Sequence, residues 1–423
     1  MTSHSIERTM IDSSRWPELV HVPNGGPRGM AASMLVRYAA KQLDLRMRFP
    51  DGSVIGGGNA HSPVLEIRRP DAFFRRIGAS GTIGFGEGYM AGDWDSEDLV
   101  GVLQAIASRV ATLVPARLQQ MRHTFLNRMP AHESNTVKNA KNNIARHYDL
   151  SNEMFAAFLD ETMTYSAAVF TDDPLSSTED LTSAQHRKID KLLDLAQVGK
   201  GTRLLEIGTG WGELARRAAA RGATVTTVTI SEEQASLARA RIAEAGLSEL
   251  VDVQLRDYRL IEGQYDSIVS VEMIEAVGLD HLTSYVQTLD KHLAPGGRVA
   301  LQAITMPHDR MLASQETYTW IRKYIFPGGQ LLSPEAIDAS LAAKTSLHIA
   351  EKHSYGLHYA KTLERWRETF LANRAEVGAL GFDEIFARMW VFYLAYCEAG
   401  FRARYLDVYQ LLLTRTDVSK ARA

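Results

Sequence analysis

Along this 423-residue chain, apolar runs of strand length alternate with stretches of helix length only in the later part. Arg203 to Gly208, Thr224 to Thr229, Val251 to Asp257, Ser267 to Met273 and Arg298 to Ile304 have the length and apolar character of buried strands. Glu213 to Ala220, between the first two, is rich in good helix formers, and Ser231 to Ala245, before the third, is a long amphipathic stretch. Strand and helix in alternation predict right-handed crossovers and a mainly parallel sheet covered on both faces. A late apolar run, Leu406 to Leu413, is expected to add a last strand at the sheet edge.

The earlier part follows another rhythm. Leu45 to Phe49 and Val64 to Ile67 alternate as short strands, and Asp71 to Ile77 and Glu97 to Val114 carry helical patterns, which together predict a small α+β domain. Met121 to Asn143 is polar, lacks periodic apolar positions and is broken by Pro130, as a connection between domains would be. The expected division is an N-terminal domain over 1–125, a linker over 126–145 and a catalytic domain over 146–423. Two domains also suit a length beyond what one core usually serves.

Composition adds exclusions. With 47 basic and 50 acidic residues the net charge is −3, so no global positive field gathers nucleic acid, and none is expected as partner. The single cysteine, Cys397, supports neither a disulfide framework nor a cysteine-based zinc site within one chain, and no metal is expected. Met1 to Leu19 carries five charges where a signal peptide needs an apolar core, and no apolar run approaches membrane-spanning length. The expected location is cytoplasmic, at most peripheral at the inner membrane face. One local patch, Arg68-Arg69-Pro70-Asp71-Ala72-Phe73-Phe74-Arg75-Arg76, reads either as a membrane contact or as a short helix burying Phe73, Phe74 and Ile77.

The sharpest chemical signal is Leu204-Leu205-Glu206-Ile207-Gly208-Thr209-Gly210-Trp211-Gly212, a strand running through three glycines into a helix. Glycine there lets the backbone turn sharply and lie against a ligand. A dinucleotide loop is spaced G-x-G-x-x-G and receives pyrophosphate, whereas here the spacing is G-x-G-x-G with Glu206 and Glu213 on either side. Two carboxylates repel a pyrophosphate but tolerate a cation, and S-adenosylmethionine (SAM) carries an ammonium and a sulfonium. The second strand ends Thr229-Ile230-Ser231-Glu232-Glu233-Gln234, with Ser231 as helix N-cap, and the third ends Asp257-Tyr258, an acceptor beside an aromatic face suited to adenine.

Taken together with HYDLSNEMFAAFLDETMTYSAAVF from His147, VTISEEQ from Val228, RDYR from Arg256, SIVSVEMIEAVG from Ser267 and WIRKYIFPGG from Trp320, this loop resembles the cyclopropane fatty acid synthase family, including its mycolic acid and tuberculostearic acid branches. GTIGFGEGYMAGDW from Gly81 extends the resemblance loosely into the first domain. The resemblance implies an α/β fold with a seven-stranded, Rossmann-like SAM-dependent methyltransferase sheet. It implies SAM contacts at Tyr165, Ser166, Leu204, Glu206, Gly208, Gly210, Trp211, Gly212, Thr229, Ile230, Gln234, Asp257 and Tyr258. The implied substrate is an unsaturated acyl chain of a membrane phospholipid, and a homo-oligomer is the expected assembly.

In that family a bicarbonate ion serves as base, held by a cysteine, a glutamate, a histidine, a tyrosine and a backbone group. Glu275 matches the glutamate, Tyr359 the tyrosine and Ile304 the backbone position, but Ala167 replaces the cysteine, Gln302 the histidine, and Ala276 the histidine that commonly follows the glutamate. Part of the anion cradle is thus missing or rebuilt.

A double bond is a poor nucleophile, so the site must align it with the sulfonium methyl in a dry pocket. The carbocation formed then loses a proton to a positioned base. Tyr165, Phe170, Trp320 and Tyr324 are candidates to stabilise that cation by their ring faces, or else are core aromatics. Ring closure gives a cyclopropane; a preceding hydride shift gives a methylene branch that a separate reductase could convert to a methyl. The altered base region favours the branched product. Glu275 would alternatively be structural, paired with Arg402 or Arg404. A methyltransferase of a soluble amine or phenol, or a noncatalytic lipid carrier, are the competing classes.

Overall fold

The computed structural model describes residues 11–109, 151–315 and 317–415. The expected connection, Met121 to Asn143, lies outside them, as does the part of the predicted helix after residue 109. The described residues form two compact units, the first from 11–109, 317–325 and 366–405, the second from 151–315, 326–365 and 406–415. The chain therefore does not divide into the contiguous pieces expected from its sequence. Two later segments return to the first unit because their apolar side chains complete its core.

In the second unit seven strands form one sheet: β5 (Arg203–Ile207), β6 (Thr224–Thr229), β7 (Val251–Leu255), β8 (Tyr265–Val271), β9 (Leu293–Thr305), β10 (Leu347–Ser354) and β11 (Asp407–Arg415). Their order is β10-β11-β9-β8-β5-β6-β7. The pairs from β9 through β8, β5 and β6 to β7 are parallel, whereas β11 is antiparallel to both β9 and β10. The late run thus becomes a strand, but an interior one, and β10 takes the edge. Nearly all of β10 after Leu347 is solvent-accessible, so no apolar alternation marks it in the sequence.

Neighbouring strand residues feed opposite cores, as the pleat requires. Leu204, Val225, Val269 and Ala300 pack with Leu192, Ala215 and Ala238 of helices Leu181–Leu195, Glu213–Ala220 and Glu232–Glu244. Leu205, Ile207, Ile268 and Leu301 pack with Tyr285 and Leu289 of helix Leu279–His292. Ser231 caps helix Glu232–Glu244, its Oγ accepting from Gln234 N at 3.2 Å.

The first unit carries a four-stranded sheet of β1 (Arg46–Arg48), β2 (Val54–Ile55), β3 (Val64–Ile67) and β4 (Trp94–Asp95), ordered β2-β1-β3-β4. Helix Glu384–Arg402 belongs to this unit, with Phe392 meeting the rings of Phe85 and Trp94 at 6.3 and 6.2 Å between centroids. Arg388 lies 4.1 Å from the Tyr89 ring centre and donates to Asp95 at 3.1 Å. Trp320 and Tyr324 also serve this unit: Trp320 is buried against Gly86, and Tyr324 donates to Glu87 at 2.8 Å.

Phe73 and Phe74 are buried on helix Pro70–Ser80, and Arg76 is buried in an ion pair with Asp93 at 2.9 Å. The basic and aromatic patch is therefore core rather than membrane contact. Exposed apolar side chains lie instead on helix Pro27–Ala40, where Met30, Met34 and Tyr38 recur every fourth residue beside Leu35. Among the described residues no helix is long and apolar enough to cross a membrane.

Candidate active site

β5 stands between β6 and β8, whose following helices cover opposite faces, so a crevice opens beyond its carboxyl end. The loop filling that point turns through Gly208, Gly210 and Gly212 at φ of 100°, 51° and 89°. A Cβ at Gly208 would stand 2.6 Å from Met273 Cγ, so both conformation and space call for glycine. The loop borders a cavity of about 170 Å³ lined also by the ends of β6, β7 and β8.

Of the residues assigned to the donor, Tyr165, Ser166, Glu206, Gly208, Gly210, Trp211, Thr229, Ile230, Gln234, Asp257 and Tyr258 line this cavity. Leu204 and Gly212 do not. Leu204 sits four residues before the turn and is fully buried in the core, while Gly212 caps helix Glu213–Ala220 and packs toward Ala238.

Glu206 offers an unpartnered buried oxygen, Oε2, at the cavity wall. Burial raises its carboxyl to about 8, opposed by a hydrogen bond from Thr227 and the charge of Lys188. Such an atom fits a cationic donor, which would supply what the protein leaves missing. Glu213, expected to act with it, is already committed. It pairs with Arg216 at 2.6 Å, His186 at 3.0 Å and Arg241 at 3.3 Å.

The remaining assigned residues are held in place by neighbours. Thr229 Oγ1 donates to Gln234 Oε1 at 2.9 Å, and Trp211 Nε1 to Asn152 Oδ1 at 2.7 Å. Tyr165 stands edge-on to Phe155, centroids 5.3 Å apart. Asp257 is clamped by Arg259, whose Nε and Nη2 donate to its two oxygens at 2.8 and 2.6 Å. Tyr258, beside it, keeps a buried hydroxyl without a partner.

The five residues assigned to catalysis gather in a second cluster, and none of them lines the cavity. Ile304 N donates to Glu275 Oε1, while Glu275 Oε2 is buried with no partner. Burial, reinforced by the charge of Glu272, raises Glu275 to about 8. Glu275 is therefore held by a backbone amide, and Arg402 pairs instead with Glu398 at 2.8 Å. Ala167 N and Gln302 Nε2 each donate to Glu272 Oε1 at 2.8 Å, and the Tyr359 side chain also hydrogen-bonds this carboxylate. Gln302 is fixed in turn by Gln410 Nε2, which donates to its Oε1 at 3.0 Å.

These residues do not fit a bound bicarbonate. The donors expected to hold it are directed at protein carboxylates, and two carboxyl groups already stand within electrostatic reach of one another in this cluster. A further anion there would add like-charge repulsion in a buried setting.

Among the four aromatics considered for the cation, Tyr165 alone lines the cavity. Phe170 is buried and stacked on His358 at 6.3 Å, and Trp320 and Tyr324 belong to the first unit.

Sequence reasoning missed Glu272 and Lys188. Both line the cavity. Lys188 is buried and donates to Ser166 Oγ at 2.6 Å; burial lowers it to about 8 against the pull of Glu272, Asp160 and Glu206. Glu272 carries φ of 52°, a left-handed conformation uncommon for a residue with a Cβ. A signal for Glu272 was available, because a second carboxylate three residues before Glu275 is written in Val-Glu-Met-Ile-Glu. Lys188 had none, since one lysine on an amphipathic helix looks like a solvated one.

Residues 135–411 match the family described as mycolic acid cyclopropane synthetase. The chain is 53% identical over 411 residues to the tuberculostearic acid methyltransferase of Mycobacterium tuberculosis, covering 96% of each chain. It is 33% identical over 372 residues to the cyclopropane-fatty-acyl-phospholipid synthase of Escherichia coli, covering 84% of this chain and 89% of that one. Among solved structures it resembles the cyclopropane synthase MmaA2 from Mycobacterium tuberculosis at 32% identity and a TM-score of 0.59, over 64% of this chain and 97% of the other. The mycolic acid cyclopropane synthase CmaA1, solved with S-adenosylhomocysteine, gives the same TM-score at 29% identity, over 64% of this chain and 97% of that one.

Proposed function

We propose that this chain, which belongs to the mycolic acid cyclopropane synthetase family and is a SAM-dependent methyltransferase, methylates the cis double bond of an unsaturated phospholipid acyl chain and delivers a methylene branch. The bound donor supplies an electrophilic methyl. Glu206, with its unpartnered Oε2, would receive the donor's ammonium, and Gly208 and Gly210 would let the backbone lie against it. Gln234, Asp257 and Tyr258 also line the cavity and would hold the ribose and adenine. Tyr165 presents its ring to the cation that methyl transfer leaves on the acyl chain.

One observation carries the choice of product: the base region is built around Ala167, Glu272 and Gln302, with no cradle for a separate anion. The similarity to a tuberculostearic acid methyltransferase along nearly the whole chain supports the same choice. The similarity to cyclopropane synthases favours ring closure as the second reading. A methylene product calls for a separate reductase to reach a methyl branch. The protein works peripherally on the membrane, and Met30, Met34 and Tyr38, exposed on helix Pro27–Ala40, make the contact.

The test is incubation with methyl-labelled SAM and phospholipid vesicles bearing a monounsaturated chain, followed by mass and NMR analysis of the acyl product. A labelled methylene branch is the expected result. Labelled cyclopropane alone overturns the product, and label only in soluble amines or phenols overturns the substrate class.

A further inference from the structure

The geometry points to Glu272 as the proton acceptor of the reaction, a carboxylate built into the chain in place of a dissociable anion. This rests on the methyltransfer reading above and names the group that completes it.

Among the described residues that line the cavity, Glu272 is the one whose carboxylate also takes donors from the second cluster. It lines the cavity bordered by the glycine loop, and its carboxylate is also the hub of the buried cluster. Glu275, the acid legible in the sequence, lies outside that lining and is turned toward the Ile304 amide. A base has to reach the proton it removes, so the residue at the wall takes precedence over the one behind it.

The construction around Glu272 serves orientation. β8 ends at Val271, and the next residue enters the left-handed region, a conformation that costs an ordinary side chain energy. Its backbone N still donates to the Gln302 carbonyl at 2.8 Å, which carries the β8–β9 ladder one residue further. Its Oε1 then receives Ala167 N and Gln302 Nε2. Three elements therefore fix one carboxylate, as a positioned base requires. Burial raises its affinity for a proton, which suits an acceptor.

The step balances without a further reagent. The electron pair of the double bond forms the new carbon–carbon bond to the methyl as the sulfur–methyl bond breaks and its electrons stay on sulfur. The neighbouring carbon becomes cationic, and a hydride shift moves that charge to the carbon bearing the new methyl. A carbon–hydrogen bond of that methyl then breaks. Its electron pair closes the methylene double bond, and its proton passes to the Glu272 carboxylate. The proton leaves to water when the product departs.

The experiment compares the native chain, Glu272→Gln and Glu272→Gly in the labelled-phospholipid assay, each in buffer stripped of carbon dioxide and again with added bicarbonate or formate. SAM binding is measured in parallel by calorimetry. The native rate should not depend on bicarbonate. Glu272→Gln should lose about 10²–10⁴-fold in product formation while binding SAM as before. Glu272→Gly tolerates the left-handed backbone and frees the Ala167, Gln302 and Tyr359 donors, so added formate or bicarbonate should restore part of its rate saturably.

A Glu272→Gln rate within about threefold of native overturns the proposal, because a general base contributes far more than that. A native rate that collapses without bicarbonate overturns it as well. Failure of both variants to bind SAM, with no rescue by either anion, assigns Glu272 a structural role and overturns it too. A native chain that labels no acyl chain fails the methyltransfer reading itself, and the proposal with it.

Discussion

Glu272 and Gln302 hold one another twice, the Glu272 backbone N donating to the Gln302 carbonyl oxygen and Gln302 Nε2 donating to Glu272 Oε1, both at 2.8 Å. The pair crosses from the end of β8 to β9, and Gln410 on β11 secures it from behind. Replacing Gln302 by leucine removes a donor from a buried carboxylate and leaves Gln410 Nε2 only its longer bond to the Lys188 carbonyl. A loss of about 1–3 kcal/mol of stability is expected, since buried polar groups left unpaired cost that much. Turnover should fall while SAM affinity is unchanged, which urea unfolding, single-turnover kinetics and calorimetry would separate.

Gly208→Ala tests the loop directly. The added methyl meets Met273 Cγ at 2.6 Å and is placed on a backbone at φ of 100°. Strain of this kind costs about 1–3 kcal/mol, and the loop relieves it by moving into the cavity. SAM affinity should drop at least tenfold, on the order of 1.4 kcal/mol, with the rest of the fold retained by circular dichroism.

SAM binding should also report the state of Glu206. Burial holds this carboxyl at about 8, so at neutral pH it is mostly protonated before the donor arrives and must ionise to receive an ammonium. Affinity is therefore expected to rise with pH, approaching about tenfold per unit from about pH 6 to about pH 7, with a proton released on binding. The upper limit is set by the donor's own α-ammonium, which titrates near about 7.7–8.0. Calorimetry in buffers of different ionisation heat measures the proton, and Glu206→Gln should abolish its release.

Glu275 makes a prediction about stability of the opposite pH sense. Its carboxyl rises from an ordinary 4.5 to about 8 in the folded chain, first by burial and then by the charge of Glu272. The folded state thus binds a proton that the unfolded state has released across that window. Stability from this group is whole below 4.5 and is lost as pH climbs through about 8. Glu275→Gln should flatten the decline seen by urea unfolding between pH 4.5 and about 8, leaving a remainder from Glu206, which shifts the same way.

On the first unit, Met34→Glu should reduce cosedimentation with phospholipid vesicles, because Met34 is 73% exposed at the centre of the apolar row. Arg75→Glu should change it less, as Arg75 answers to Asp71 at 2.8 Å and the neighbouring phenylalanines are buried. Equal losses would remove helix Pro27–Ala40 from the contact.

Local pattern alone determined the parallel sheet, the strand–glycine–helix turn and the strand ends that border the cavity. Strand period, glycine spacing and capping are short-range properties, and β6 and helix Glu213–Ala220 lie where the pattern puts them. Ala167 and Gln302 were legible as an altered base region only through the family resemblance, each standing where that family has another residue. Tertiary structure decided what no run of neighbours contains. Lys188 is buried because its helix turns that side to Ser166, Glu213 is spent on arginines from two helices, and 366–405 returns to the first core. It decided also that Glu272, rather than Glu275, reaches the cavity. That follows from a single left-handed residue at the end of β8 and from donors more than a hundred positions away at Ala167. Burial and charge act through space, and the chain order does not record which distant groups will share a dry pocket.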